Sequence, residues 1–339
     1  STRFDKNSFI GKVFNSWIFF FKVLINCFFS KKVDYYLIVT SPPLAPLIGT
    51  VLKFLKNQKY IYLMHDVYPE IAWKLGYIKK DGIICKIWQY LTNLALIHSD
   101  KVIVLSDDMK NGISKRFTSI SSEKIEIIHN WANEDIIKVI TKNENNLFEE
   151  YDLKNKFIVE YSGNMGRVHE FQTFIKAANL LKNEKDILFL FIGDGGKKKE
   201  IEKLILKYNL GNIKFLPLQK KELLEYSLGL ADIHLLSIED GYEELVAPSK
   251  LYGILASGCP VIFVGAENCY ITKILNDNKC GFQTNINDFN KLKEIILNLK
   301  LSQDSFNECA TNSRKIFEEK YTLANISQQY FNCISEIKV

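Results

Sequence analysis

The stretch "ELVAPSKLYGILASGCPVIFV", Glu244 to Val264, contains a turn, a helix, a stop and a strand in one short run. Pro248 and Ser249 precede a helical stretch, Gly258 is placed to cap its C-terminal end, and Pro260 to Val264 is a continuous apolar run of the kind buried on both sheet faces. A helix feeding a doubly buried strand is half of a βαβ unit, so this stretch predicts a parallel sheet with crossover helices. Lys250 fits the helix poorly. A cation in a first turn faces the positive end of the macrodipole and mildly destabilises an isolated helix, so the position is expected to serve an anion.

The same alternation extends in both directions. "FIVEYS", "ILFLFIG", "NIKFLP" and "DIHLLS" precede the opening stretch as strands, each followed by a helix-length segment. The first half gives strands at Tyr35 to Thr40, Lys59 to Met64, Lys101 to Ser106 and Lys124 to His129, with helices near Leu44 to Lys56, Gly82 to His98 and Asp107 to Phe117. The polar, Asn-rich "HNWANEDIIKVITKNENNLFEEYDLKNK" reads as the connection between the halves. The fold class is therefore α/β, with two doubly wound parallel-sheet domains facing a cleft: 1–150, 151–320 and a C-terminal helix, 321–339, returning to the first domain. In such sheets ligands bind at the carboxyl ends of the strands, which directs attention to the loops leaving them.

A chain of 339 residues, 47% hydrophobic, suits two such domains. Its 44 Lys and Arg against 39 Asp and Glu give +5, spread along the sequence, and no zinc-finger or recognition-helix pattern is visible, so nucleic acid is not expected as a partner. The seven cysteines form no CxxC pair and read as reduced thiols of a cytoplasmic protein. Val13 to Phe29, "VFNSWIFFFKVLINCFF", is too polar for a membrane span. It reads either as a core helix or as an interfacial one whose Trp17, Phe19 and Phe20 meet lipid while Lys22, Lys31 and Lys32 meet headgroups.

Three loops of the second half carry candidate chemistry. "YSGNMGRVHEF" has Gly163, Gly166 and Arg167 before a helix expected near His169, either an anion cradle or an ordinary glycine turn. "FIGDGGKKKE" brings Gly193 and Asp194, where backbone could approach a ribose or base; Leu216 and Pro217 close the next strand. "SIEDGYEELVAPSK" ends in Ser249 and Lys250 after a run of acids suited to sugar hydroxyls. In the first half, His65 and Asp66 of "YLMHDVYPE" lie at a strand end, as structural residues or as groups positioning an acceptor hydroxyl.

These segments, together with "TSPPL", "VIVLSDDMKNGI", "IIHNWANED" and "FLPLQKKELLEYSLGLAD", resemble in order and spacing glycosyltransferase family 4 of the GT-B fold, in particular the cell-surface polysaccharide enzymes of the fucosamine-type transferase group. The resemblance runs from Asp34 to about Gly281. It implies a retaining, metal-independent transferase without cofactor, moving sugar from a nucleotide-sugar, expected to be a UDP-sugar, to a lipid-linked or oligosaccharide acceptor in lipopolysaccharide, capsule or exopolysaccharide synthesis. The enzyme would be peripheral at the inner face of the cytoplasmic membrane. It further implies that Gly163, Asn164, Gly166 and Arg167 hold the diphosphate, Gly193 and Asp194 the nucleoside side, Leu216 and Pro217 the base, Glu244, Ser249 and Lys250 the sugar and phosphate, and His65 and Asp66 the reaction centre. Two features depart from the pattern. Gly253 stands where many relatives place a second glutamate, and the relatives' first strand and glycine loop are not found after Ser1, so the first domain is expected to lack that strand and the chain to be incomplete or inactive as written. A nucleotide-sugar 2-epimerase and a non-catalytic nucleotide-sugar-binding or scaffold subunit are the rival readings.

Overall fold

The computed structural model describes residues 9–337, with side chains from residue 15 onward. The opening Ser1 to Ser8, read above as holding no clear first strand, lies outside the described residues. The chain divides into two units. The first comprises the chain up to Ile128, the short segment Glu244–Ala247 and the end from Tyr330; the second comprises His129–Glu243 and Pro248–Gln329.

In the first unit, helix α1 (Phe9–Phe29) precedes β1 (Tyr36–Val39), α2 (Pro46–Lys56), β2 (Tyr60–Met64), α3 (Glu70–Lys74), α4 (Ile83–His98), β3 (Lys101–Val104), α5 (Asp107–Arg116) and β4 (Ile125–Ile127). The four strands are parallel and lie in sequence order. "YIYLM" of β2 is buried at every position, as a central strand covered on both faces requires. The start of α5 is set locally: the Ser106 hydroxyl accepts from the Met109 amide at 3.2 Å, Asp107 and Asp108 follow, and Lys115 and Arg116 close the last turn. Each placement opposes the helix dipole with the right sign.

The second unit holds α6 (Leu147–Glu150), β5 (Phe157–Ser162), α7 (Gln172–Leu180), β6 (Ile187–Ile192), α8 (Lys198–Tyr208), β7 (Ile213–Leu216), α9 (Leu224–Leu228), β8 (Ile233–Ser237), α10 (Lys250–Ala256), β9 (Val261–Val264), α11 (Tyr270–Asn278), β10 (Gly281–Thr284), α12 (Phe289–Leu301) and α13 (Gln303–Ile316). Helix α14 (Leu323–Ser335) follows and ends among the residues counted with the first unit. The six parallel strands run β10-β9-β8-β5-β6-β7. The order reverses between β5 and β8, which makes the loops after those two strands the walls of the sheet's crevice. Alternate residues supply two cores. Val159, Tyr161, Phe189 and Phe191 pack with Phe174 and Ile262 on one face, and Ile158, Leu190, Ile192 and Leu216 with Leu230 on the other.

The structure departs from the sequence reading in three places. "GFQT" forms a sixth strand, β10, which its short length and polar content had hidden. Helix α7 begins at Gln172, not near His169. The Asn-rich segment is built into the second unit, because Leu147, Phe148 and Leu153 pack on the second of the two cores.

Candidate functional site

The loops leaving β5 and β6 are fastened together by their backbones. The Gly163 amide donates to the Ile192 carbonyl at 2.8 Å, Met165 to Asp194 at 2.8 Å, Lys197 to Met165 at 3.0 Å and Gly193 to Leu216 at 3.0 Å. That lacing explains the glycines. A Cβ on Gly193 would stand 2.2 Å from the Gly163 carbonyl oxygen, and one on Gly195 would stand 2.5 Å from the Met165 carbonyl. Gly193 also has φ +130°. Sequence reasoning had given Gly193 a role toward ribose or base, whereas its observed neighbour is the first loop's backbone. Asn164 and Arg167 are exposed on that loop, and Asp194 is exposed beside it with its carboxylate accepting from the Gly195 amide at 2.8 Å.

Lys250 reaches this loop from the start of α10. Its ammonium donates to the Tyr161 hydroxyl at 2.5 Å, lies 4.0 Å from the centre of the Tyr161 ring and 3.5 Å from the Asn164 carbonyl. Gly163, with φ +118°, presents its bare Cα to the same side chain, so that a Cβ would lie 3.7 Å from the lysine Nζ. Among the described residues no carboxylate forms an ion pair with Lys250. The residue keeps part of its surface open, yet its ammonium is largely withdrawn from water, and this desolvation lowers its pKa from the usual 10.5 to about 7. A desolvated lysine held only by neutral oxygens and an aromatic ring is a site suited to an incoming anion.

Two groups that the sequence did not single out arrange the rest of the loop. Tyr161 donates to the Asn164 carbonyl at 2.9 Å while accepting from Lys250, so its ring faces the core and its hydroxyl the loop. Nothing in the sequence announced the hydroxyl's partners. Glu170 places its carboxylate on the Thr173 amide at 3.0 and 3.1 Å, at the first turn of α7. The helix N-terminus expected to receive an anion after this loop therefore already holds one of the chain's own. His169 donates from Nδ1 to the Ser237 carbonyl at 2.6 Å, and burial, with Lys250 nearby, lowers its pKa to about 3, so it is neutral. Lys197, paired with Glu239, also donates to the His169 carbonyl at 2.6 Å.

The remaining second-unit candidates separate into core and surface. The Leu216 side chain is buried in the second core and its carbonyl receives Gly193, while Pro217 is exposed. Ser249 is exposed at the start of α10 and makes no side-chain cap. Gly253 faces Leu228 and Ile137, an apolar setting.

In the first unit, the amides of His65 and Asp66 donate to the Thr40 hydroxyl at 3.0 and 3.3 Å, which joins the ends of β1 and β2. Burial lowers the His65 pKa and raises that of Asp66, each offset in part by the other. Asp66 bridges to Val246, and the Val67 amide donates to Leu245 at 3.0 Å, so Glu244–Ala247 is stitched to this unit. Glu244 is held there by Arg116 at 2.5 Å and Lys115 at 3.2 Å. Sequence reasoning grouped Glu244 with Ser249 and Lys250; the structure counts it with His65 and Asp66.

A model of the family described as glycosyl transferases group 1 matches residues 143–316, just over half of the chain. The chain belongs to this family. The matched glycosyl transferase region contains the laced loops and Lys250 and excludes His65 and Asp66. Over 282 residues the chain is 26% identical to WbjE of Pseudomonas aeruginosa, named a probable glycosyltransferase, covering 82% of this chain and 68% of that protein. Over 183 residues it is 31% identical to WcaI of Escherichia coli, provisionally named a colanic acid biosynthesis glycosyl transferase, covering 53% of this chain and 44% of the relative. Among solved structures, HepE of Anabaena in complex with UDP and glucose superposes with a TM-score of 0.76 at 17% identity, over 93% of this chain and 81% of that one. WaaG, a glycosyltransferase involved in lipopolysaccharide biosynthesis, gives 0.66 at 14% identity, over 83% and 79%. These likenesses establish two parallel-sheet units of the GT-B type.

Proposed function

We propose that this glycosyl transferase moves a sugar from a nucleotide-sugar, most simply a UDP-sugar, to a lipid-linked or oligosaccharide acceptor in the synthesis of a surface polysaccharide. The names of WbjE and WcaI, and the UDP and glucose of the HepE complex, support the reading. The observation that carries it is Lys250: a desolvated ammonium without a carboxylate partner, at the bare face of Gly163, beside the switch point of the second sheet.

In this reading the donor diphosphate lies against Gly163, Asn164, Gly166 and Arg167 with Lys250 on its β-phosphate; Gly193 and Asp194 border the nucleoside, and Pro217, backed by Leu216, the base. As the bond from the anomeric carbon to the β-phosphate oxygen breaks, negative charge collects where Lys250 and Arg167 can stabilise it without a metal. The acceptor oxygen forms the new bond on the same face, and its proton passes to the departing phosphate oxygen, giving retention. Ser249 flanks the phosphate, Glu244 is the candidate for the donor sugar's hydroxyls with its carboxylate oriented by Arg116, and His65 and Asp66 serve the acceptor.

Membrane contact belongs to the same proposal. No described helix is long and apolar enough to cross a membrane. Helix α1, however, exposes Trp17, Phe21, Ile25 and Phe29 beside Lys22, which suits an interfacial position at the cytoplasmic face. The test is nucleotide release: the full chain incubated with UDP-, GDP- and dTDP-sugars and a lipid extract should release one nucleotide only when acceptor is present. Release without acceptor would favour a hydrolase, conversion of the donor into an epimeric nucleotide-sugar without release would favour an epimerase, and binding without either would favour a scaffold.

A further inference from the structure

The first unit contains a cavity of about 420 Å³, well removed in sequence from the donor loops, lined by Glu70 of α3, Gln89, Tyr90 and Asn93 of α4, and Arg116 and Phe117 at the end of α5. Its volume falls within the ~300–1,000 Å³ typical of small-molecule sites. Its wall contains both signs of charge with unused hydrogen-bonding capacity. Glu70 is 5% exposed; its Oε1 receives only a long 3.5 Å bond from Gln89, and its Oε2 has no partner. Arg116 commits Nη2 to Glu244, and its Nη1 is buried without a partner.

We propose that this cavity is a saccharide subsite, built for a neutral, polyhydroxylated ring. The charge pattern selects against the alternatives. An anion drawn to Arg116 is repelled by Glu70, and a cation drawn to Glu70 is repelled by Arg116. With a turn of the two side chains toward the cavity, a hydroxyl group satisfies both, donating its proton to the carboxylate and accepting from the guanidinium, and a sugar carries several at fixed spacing. Asn93 adds an amide to the same wall. Tyr90, 62% exposed, offers an aromatic face to the C–H side of a pyranose. Identifying that saccharide as the acceptor rests on the transferase reading above; the preference for a neutral polyol does not.

The test uses the full chain, saturation-transfer NMR and a panel of methyl glycosides of glucose, galactose, mannose, N-acetylglucosamine and fucose, with and without saturating UDP. At least one glycoside is expected to bind in the presence of UDP. Tyr90→Ala and Glu70→Gln should each weaken it by ~10-fold or more, the loss of one good directional contact. Tyr90 is exposed, so its replacement keeps the test valid if Glu70→Gln does not fold. The proposal fails if no glycoside of the panel binds, if both replacements leave binding unchanged, or if inorganic phosphate displaces the glycoside. UDP binding measured on the same samples separates the two ideas: glycoside without UDP overturns the donor reading and keeps the cavity, and UDP without glycoside does the reverse.

Discussion

Lys250 is the residue on which the proposed chemistry turns, and its environment has a measurable cost. Desolvation depresses its folded pKa to about 7 from 10.5 in the unfolded chain. The folded state thus binds fewer protons than the unfolded state between these values, and stability rises with pH through that window. Below about 7 both states are protonated and the penalty is complete. Lys250→Met should therefore raise the melting temperature at pH 7 and flatten this part of the pH profile relative to the parent chain, as followed by thermal denaturation in buffers from pH 6 to 10; an unchanged profile would mean that the ammonium is not desolvated. A buried carboxyl–imidazole pair gives a contrasting result. Glu160 and His234 are fully buried with 4.0 Å between Nδ1 and Oε1; burial pushes the carboxyl far up and lowers the imidazole to about 4, so His234 is neutral at pH 7 and the two do not form an ion pair. Glu160 costs stability progressively as pH rises above its unfolded value, and the isosteric Glu160→Gln should be neutral or stabilising at pH 8 in denaturant titrations, whereas loss of an ion pair would destabilise by ~3–5 kcal/mol.

Among the elements, glycines in two helices predict opposite outcomes. Gly112 in α5 has no room: a Cβ would stand 2.7 Å from the Glu244 side chain and 3.0 Å from Arg116 Nη1. Gly112→Ala should lower stability by ~1–3 kcal/mol despite better helix propensity, because the Arg116–Glu244 pair must shift. Gly253 in α10 has ordinary contact distances of 3.6 and 3.8 Å to Leu228 and Ile137. There, Gly253→Ala should gain ~0.5–1 kcal/mol from the helix backbone. Equilibrium unfolding of the two variants decides both. The same elements show what a sequence reveals. Apolar runs such as "VIFV" and capping signals such as Ser106 located nearly every strand and helix, since each depends on near neighbours. The glycine spacing of the β5 and β6 loops was also visible, but its purpose was not. Gly193 answers to the Gly163 carbonyl, a partner set by strand pairing rather than by sequence proximity. For the same reason Glu170's occupation of the α7 start and the Tyr161 hydroxyl's grip on Lys250 became legible only in three dimensions.

Across the whole molecule, the pattern of two parallel sheets was readable because alternating strands and helices admit few other architectures. The assignment of short segments was not. Glu244 and Lys250 stand six positions apart, yet Glu244 is counted with the first unit and Lys250 with the second. The exposed face of α1 carries the proposal of membrane contact, which makes its own prediction: the protein should sediment with vesicles containing anionic lipid, and Trp17→Ala with Phe21→Ala should reduce the bound fraction by ~10-fold or more, two buried aromatic contacts being lost. Equal sedimentation of the variant would remove α1 from that role.

The central claim, that Lys250 receives the donor diphosphate, is tested most directly by calorimetric titration of UDP into the parent chain and into Lys250→Ala, at about pH 8 in buffers of different ionisation enthalpy. With a pKa near 7 the free lysine is mostly neutral at that pH, and a diphosphate would restore its proton. The parent chain should take up close to one proton per UDP and bind ~10–100-fold more tightly than the variant, the loss expected for a charge-assisted hydrogen bond. Equal affinity with equal proton uptake in the two proteins would contradict the account.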